Sequence, residues 1–448
     1  LAQVVAEQTH TDVTIKPNPK LSEMLYIAKN ESEEIEPTDL AKVRASANLS
    51  RSTDIDDYDD EMDDDMDDDN GNSSGNGPGS SGSRTRKKTT HLEIDVDAKS
   101  GTGSGSNSGT PSSGPNLSTI YMTTHKDAVT CCAFSKDGRY AASGSADTSL
   151  KILDVNKMKM MNEDVHPVIR TLYDHTTPVT DVDFHPNGLV LAASSDTVVK
   201  LYDLSKPSVK RSFRYLQDSH PIQSVSFHPS GDFLLVGSES ETVRIFDVKT
   251  LQCFTPRAFS SNDHSQQDSD QTQSGPHRGG INHIEYAPTG SVFITASQDG
   301  SIKVWDAVSG KVVRTISNAH SGKGVTSATI SKNGKYILSG GWDSQSKLWD
   351  LGSGKLIHGF QGAVQKSEKQ STVFSYNEEF VFSTDESNNT IVCWDSRTAT
   401  LVKRYSGHNS TIRALAASPT ENGLVSGSND HRVRYWSQPS PGQHHGQH

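Results

Sequence analysis

Five histidines in this chain each stand 21 to 23 residues ahead of an aspartate: His125 before Asp147, His175 before Asp196, His277 before Asp299, His320 before Asp343 and His408 before Asp430. Around each aspartate runs the same pattern of a short apolar strand, a small-residue turn and a second strand. The second strand closes on Asp154, Asp203, Asp306, Asp350 or, in the last copy, on Ser437 after Tyr435-Trp436. Further copies closing on Asp247 and Asp395 bring the number of units to seven. Each unit has the length of one four-stranded antiparallel sheet, which cannot hide its apolar faces alone, so the units must pack around an axis into a closed ring.

Within a unit the residue types follow from the sheet. Val129, Cys131 and Ala133 share one side of a strand, and Lys136-Asp137-Gly138 supplies a turn whose glycine can take positive φ. The turn aspartate can accept hydrogen bonds from turn amides and from the unit's histidine, and Ser or Thr on the strand together with Trp305, Trp349 or Trp436 can extend that network. A buried His–Asp pair also suits general-base chemistry, but its recurrence once per unit points to a structural role. The Trp-Asp ends at Trp305-Asp306 and Trp349-Asp350 are those of a WD-type repeat. The fold class expected is therefore all-β, a seven-bladed WD40 β-propeller. Two units are degenerate: Ser240 stands at the turn of the third, and the sixth has Asn388 there and no matching histidine. Because the last unit ends on its third strand, 117–124 is expected to supply the outer strand that closes the ring and covers two open edges.

Outside the propeller, composition takes over. Between Asp54 and Asp69, 12 of 16 residues are acidic and none is basic, which accounts for the whole net charge of −12. Such a run, with the Gly/Ser-rich stretches around it, cannot bury enough apolar surface to offset ordering entropy. The organisation expected is a helical segment over 1–43, a disordered acidic and Gly/Ser-rich linker over 44–116, the propeller over 117–437 and a disordered tail over 438–448. In the linker, Arg84-Thr-Arg-Lys-Lys88 suits a nuclear import signal or a solubilising patch. Leu21, Leu25 and Ala28, with Met24 beside them, form a helical apolar stripe too small for a core of its own, so the segment should dock or oligomerise. A start on Leu1, inside this helical pattern, suggests a missing N-terminal piece.

No run of eighteen apolar residues and no signal-peptide pattern is present, so no membrane partner is expected. Cys131, Cys132, Cys253 and Cys393 lack metal-ligand spacing and read as reduced core or near-core residues. Gly101-Thr-Gly-Ser-Gly105 resembles a nucleotide loop in letters only, since no strand precedes it and no helix follows. His444, His445 and His448 read as a frayed tail. No catalytic residue, cofactor site or metal site is expected.

Several stretches are not demanded by the propeller. His166-Pro-Val-Ile-Arg-Thr-Leu-Tyr-Asp-His175, Ser205-Lys-Pro-Ser-Val-Lys-Arg211, Ser226-Phe-His-Pro-Ser-Gly-Asp-Phe233 and Cys393-Trp-Asp-Ser-Arg-Thr-Ala399 resemble the WD40-subunit family of cleavage stimulation factor. That complex helps define the cleavage site in eukaryotic pre-mRNA 3′-end processing. The resemblance covers the propeller, extends weakly through Leu92-Glu-Ile-Asp-Val-Asp97, and includes 1–34, which is similar to the end of a helical homodimerisation domain. It implies a non-enzymatic nuclear scaffold for mRNA 3′-end cleavage and polyadenylation, with the factor's helical-repeat and RNA-recognition subunits as partners. It also implies a homodimer if the N-terminus is complete, and contact with RNA only indirectly or weakly. The linker, the polar insertion 260–275 and the shortened dimerisation segment depart from the family. A WD40 substrate receptor, for example for a ubiquitin ligase, is the alternative.

Partner binding should fall on the channel rim. Residues just before the turn aspartates (Ala146, Ser195, Glu239, Gln298, Trp342, Asn429) and second on the inner strands (Thr130, Thr180, Gln223, Asn282, Thr326, Arg413) should face it. Trp342 stands out, because a solvated rim gives no reason for an indole while binding hot spots are rich in Trp and Arg; Trp342, Arg413 and Gln298 are the candidate anchors for a partner peptide or helix. A basic patch of Lys206, Lys210, Arg211 and Arg214 could meet phosphates, or could keep an outer strand from pairing edge to edge.

Overall fold

The computed structural model describes residues 114–438 except 161–164, 207, 257–275 and 370. The helical segment, nearly all of the linker, the insertion 260–275 and the terminal histidines lie outside the described residues. Seven antiparallel sheets of four strands each make up the ring. In six of them the strands run outward in chain order, as in blade 1: Val129–Phe134, Tyr140–Ser145, Leu150–Asp154 and Val168–Leu172. The seventh contributes Ile412–Ala417, Gly423–Ser428 and Arg432–Ser437, and takes its fourth strand from Ser118–Thr124 at the other end of the domain. That closure pairs Thr119 with Trp436, Tyr121 with Tyr435 and Thr124 with Arg432. It is reinforced on blade 6, where Tyr405 Oη donates to the Pro115 carbonyl at 2.5 Å and Lys403 Nζ reaches Asn116 Oδ1 at 3.1 Å.

The first hairpin of six blades is set by one left-handed residue. Gly138, Gly188, Gly231, Gly290 and Gly334 hold it at φ between +69° and +80°, and in blade 6 the same place falls to Glu378 at +60°. The first and second strands of six blades share an irregularity at the second residue of the inner strand, as between Val129 and Cys131, which turns that residue toward the axis.

Apolar faces are buried between neighbouring blades, for instance Leu150, Ile152 and Leu172 of blade 1 against Val182, Phe184 and Tyr202 of blade 2. Each such aliphatic side chain contributes roughly 1.5–3 kcal/mol. Around the channel each inner strand presents an unpaired edge, and side chains of the preceding blade satisfy it. Asp181 and Asp183 accept from the amides of Val225 (2.9 Å) and Phe227 (2.7 Å). Ser224 and Ser226 accept from those of Ile284 and Tyr286 (3.3 Å each), and Glu285 from that of Ile330 (3.3 Å). The donors Thr130 and Asn282 reach the carbonyls of Val179 (2.6 Å) and Val325 (2.7 Å). The blades are thus stitched by polar side chains on the axis and glued by apolar ones away from it.

Among the described residues the one helix, Val155–Lys159, is capped by Asp154 and no helix is long and apolar enough to cross a membrane. Of the cysteines, Cys131 and Cys393 are buried and Cys132 is half-buried, but Cys253 is exposed on a two-residue outer strand, so it is not the near-core residue expected.

Candidate functional site

Alternating strand direction puts the turns bearing the aspartates and the connections bearing the histidines on one face. In blades 4, 5 and 7 a four-residue relay forms there. Trp349 Nε1 donates to Ser339 Oγ (2.8 Å), Ser339 sits 2.9 Å from His320 Nε2, and His320 Nδ1 lies 2.7 Å from Asp343. An indole only donates, so the serine hydroxyl accepts from it and has its own proton available for Nε2, with Nδ1–H directed to the carboxylate. Blade 4 repeats this with Trp305, Thr295, His277 and Asp299, and blade 7 with Trp436, Ser426, His408 and Asp430. Blade 1 has Leu153 in place of the indole; His125 contacts Ser143 (2.8 Å), Ser149 (2.9 Å) and Asp147 (3.4 Å). Gly341 is required beside this relay, since a Cβ there would lie 2.4 Å from the His320 ring.

Burial lowers His125 to about 4 despite Asp147 and lowers His277 and His408. Burial alone would raise the aspartates, but His320 and Lys347 outweigh it at Asp343, and Ser149 with two amides does so at Asp147, holding each at about 2. The side chains of His125, His277, His320 and His408 are 0% exposed, so no substrate reaches them and the pairs are structural.

The expected pair of His175 with Asp196 does not form. The second and third strands of blade 2, Val190–Ser195 and Val198–Asp203, are joined by two residues only, where blade 1 spends four. Asp196 is thereby placed in the turn itself, exposed and at φ +50°. The neighbouring Asp174 takes over, accepting from Ser212 N (3.0 Å) and Oγ (2.9 Å) and facing Lys200 at 3.4 Å. Blade 6 improvises differently. Ala363 takes the histidine's place, and Asp385, on the strand rather than in the turn, receives Val364 N (3.0 Å) and the Arg404 guanidinium (2.6 Å).

The channel mouth opens on the same face. Its cavity of about 420 Å³ is lined by Thr130, Thr180, Gln223, Asn282, Thr326 and Arg413, the six inner-strand positions expected. Lys369 is the residue that sequence reasoning missed. It reaches across from blade 6 to Gln223 Oε1 of blade 3 at 2.6 Å. Counting back from Thr372, which pairs Ser383 as Cys132 pairs Ser143, Lys369 holds the place that the other inner strands give to Val129, Val179, Ile222, Ile281, Val325 and Ile412. A cation at an otherwise aliphatic position was the available signal. Burial lowers its pKa against the pull of Asp181.

The three candidate anchors sit on this face in two places. Gln298 and Trp342 flank Gly324, where a Cβ would be 3.2 Å from Gln298 Cα and 3.4 Å from Trp342 Cδ1, so a glycine lets blades 4 and 5 close together there. Arg413 lies on blade 7, ion-paired with Glu368 at 3.0 Å, and Glu368 also receives Asn429 Nδ2 at 3.1 Å. Trp305, Trp349, Trp394 and Trp436 are buried with their indole N–H groups donated; Trp342 alone is half-buried and donates to nothing among the described residues. In the basic patch Lys206, Lys210 and Arg211 are exposed, but Arg214 is not available, because its guanidinium donates to the carbonyls of Val248 (2.9 Å) and Lys249 (2.6 Å). Among the described residues no group of His, Cys, Asp and Glu is arranged to hold a metal ion.

A closed ring whose ionisable pairs are sealed inside its blades, with a half-buried indole on the face where its channel opens, defines a recognition platform of the WD40 class. The WD domain, G-beta repeat family matches residues 116–154, 167–203, 211–247, 270–306, 310–350 and 399–437, passing over the sixth blade, whose histidine is missing. Cleavage stimulation factor subunit 50 of Arabidopsis thaliana is 44% identical over 322 residues, 71% of this chain and 72% of that protein. More distant are the nuclear distribution protein PAC1 of Coccidioides posadasii, 28% identical over 70% of this chain and 58% of that protein, and the transcriptional corepressor LEUNIG_HOMOLOG of Arabidopsis thaliana, 28% identical over 47% of this chain and 28% of that protein. The chain belongs to the family of the cleavage stimulation factor WD40 subunit, a non-enzymatic, scaffold-type repeat family.

Proposed function

We propose that this protein is a scaffold subunit of a nuclear cleavage stimulation factor complex and holds other subunits together during mRNA 3′-end cleavage and polyadenylation. The observation that carries this reading is 44% identity over 322 residues to a subunit of that factor. Its partners are the factor's helical-repeat subunit and, through it, the RNA-recognition subunit, with residues 1–43 contributing to self-association. The docking face is the channel mouth. Trp342 supplies the apolar anchor there, Gln298 a hydrogen-bonding amide beside it, and Arg413 a charge that a partner carboxylate shares with Glu368. Hot spots of this composition concentrate binding energy in a few side chains.

Affinity purification of the full chain from nuclear extract tests the assignment. Co-recovery of the other cleavage stimulation factor subunits is expected, and recovery of ubiquitin-ligase adaptors in their place would refute it. Trp342→Ala should weaken capture of the helical-repeat subunit at least about tenfold, as loss of a buried interface indole does. Capture at full strength by a folded Trp342→Ala protein would move the site elsewhere on the ring.

A further inference from the structure

We propose that the outer strand of blade 2 is a direct binding strip for single-stranded nucleic acid, separate from the channel mouth and going beyond the scaffold role. The strip follows from the alternation of one segment. From Arg211 to Gln217 the odd-numbered residues Arg211, Phe213, Tyr215 and Gln217 are all exposed, while the even ones turn inward: Ser212 to Asp174, Arg214 to the Val248 carbonyl, and Leu216 into the core. Two rings therefore stand on the solvent side, Phe213 just before the strand Arg214–Gln217 and Tyr215 on it, 39% and 66% exposed. A third ring, Tyr173, is 63% exposed and lies next to Asp174, the residue that holds Ser212. The Lys126 ammonium sits over its face at 5.7 Å.

Cations frame the rings. Lys210 and Arg211 are exposed and have no ion-pair partner among the described residues, and Lys206 is paired only loosely with Asp203 at 3.5 Å. The half-buried carboxylate of Asp174 accepts from Ser212 and is offset by the Lys200 ammonium at 3.4 Å, which limits its repulsion of a phosphate. Exposed aromatic faces cost free energy in water unless something covers them, and a row of them beside unpaired cations matches unstacked bases joined by phosphates. Arg214 contributes by its absence from this surface: its bonds into blade 3 lock the strand so that the neighbouring rings are held outward.

The test uses the full chain and two fluorescein-labelled, unstructured 12-nucleotide probes of one mixed sequence, RNA and DNA, read by anisotropy, with the corresponding duplex alongside. Binding to either single strand, tighter than to the duplex, is expected, and the two probes decide which sugar is preferred. Phe213→Ala with Tyr215→Ala should weaken single-strand binding by about tenfold or more, since each stacked base depends on its ring. Lys210→Ala with Arg211→Ala should lower the slope of log affinity against log salt by about 1.4, two phosphate contacts at roughly 0.7 each. These side chains are solvent-exposed, and an unchanged thermal melt verifies the fold of each variant. No binding to either single strand, equal binding to duplex, or full binding by both double variants would overturn the proposal; crosslinking of the strip to the acidic run 54–69 in place of nucleic acid would overturn it in favour of an intramolecular contact.

Discussion

The ring contains two populations of acids in opposite electrostatic states. Asp147 and Asp343, in the blade turns, are held at about 2, and Asp299 and Asp430 lie below the usual carboxylate range. Asp181, Asp183 and Glu285, on the channel wall, are pushed up to about 6, 7 and 8. Desolvation is the largest influence in both sets, but it is deeper on the channel wall, and the turn acids are offered more donors and counter-charge to offset it. Asp343 receives His320, Lys347 Nζ at 2.9 Å and the Gln345 amide at 3.2 Å, whereas Glu285 receives one amide at 3.3 Å and feels Lys136 only from a distance. A turn acid is an anchor for its own blade, built around its charge. A channel acid is an acceptor for the next blade's amide, and an acceptor does not need to be ionised.

The sharpest challenge to that distinction is blade 6, where the turn-type acid has lost its histidine. Asp385 has a fully buried side chain and relies on Arg404, which also donates to the Gly362 carbonyl. Arg404→Met should leave the carboxylate without a counter-charge and cost about 3 kcal/mol in chemical denaturation, the low end for breaking a buried pair because the guanidinium is 34% exposed. Lys347→Met in blade 5 should cost about 1 kcal/mol, since His320 still serves Asp343. Equal costs would mean that the histidine relay gives its acid no protection.

An effect of opposite sign is expected on the channel wall. Glu285 is raised to about 8 in the folded protein, by burial first and Asp183 last, against an ordinary value of 4.5. Between those two pH values the unfolded chain gives up the proton and the folded chain keeps it, so the residue increasingly opposes folding as pH rises, and above its folded pKa the penalty persists but no longer grows. Glu285→Gln keeps an acceptor for the Ile330 amide and removes that penalty. The variant should match the wild type near pH 4.5, gain stability relative to it up to about pH 8 and then level off. Melting curves of the two proteins across this range check it; a constant difference would place Glu285 among the charged anchors.

What the sequence made legible follows the same division. Turn acids with their histidines recur at a near-constant spacing, so Asp147, Asp299, Asp343 and Asp430, the number of blades and the closing strand could all be read along the chain. The copy closing on Asp395 betrays blade 6 as a unit, but its replacement pair could not be read, because Arg404 comes from the outer strand and meets Asp385 only once the sheet is folded. The cross-channel reach of Lys369 to Gln223 joins residues 146 apart and obeys no period. Arg214 was misplaced for a simpler reason: charge suggested solvent, while strand alternation, set by Leu216, turned it toward blade 3.

Asp196 tests the distinction at its weakest point, because by spacing it belongs to the turn acids and by geometry to neither set. The shortened hairpin of blade 2 leaves its carboxylate exposed and out of contact with His175, and its φ of +50° is one that asparagine tolerates as well as aspartate does. Asp196→Asn should therefore change unfolding free energy by less than about 0.5 kcal/mol, the range of an ordinary surface substitution. Asp299→Asn, at the same place in blade 4, removes the charge that His277, Arg278 N and Ser301 all address, and should cost about 2 kcal/mol. Measured side by side in urea, the two isosteric changes separate the spacing of a repeat from its chemistry. A loss at Asp196 as large as that at Asp299 would mean that the aspartate reaches His175 in solution and that the two-residue hairpin does not persist there.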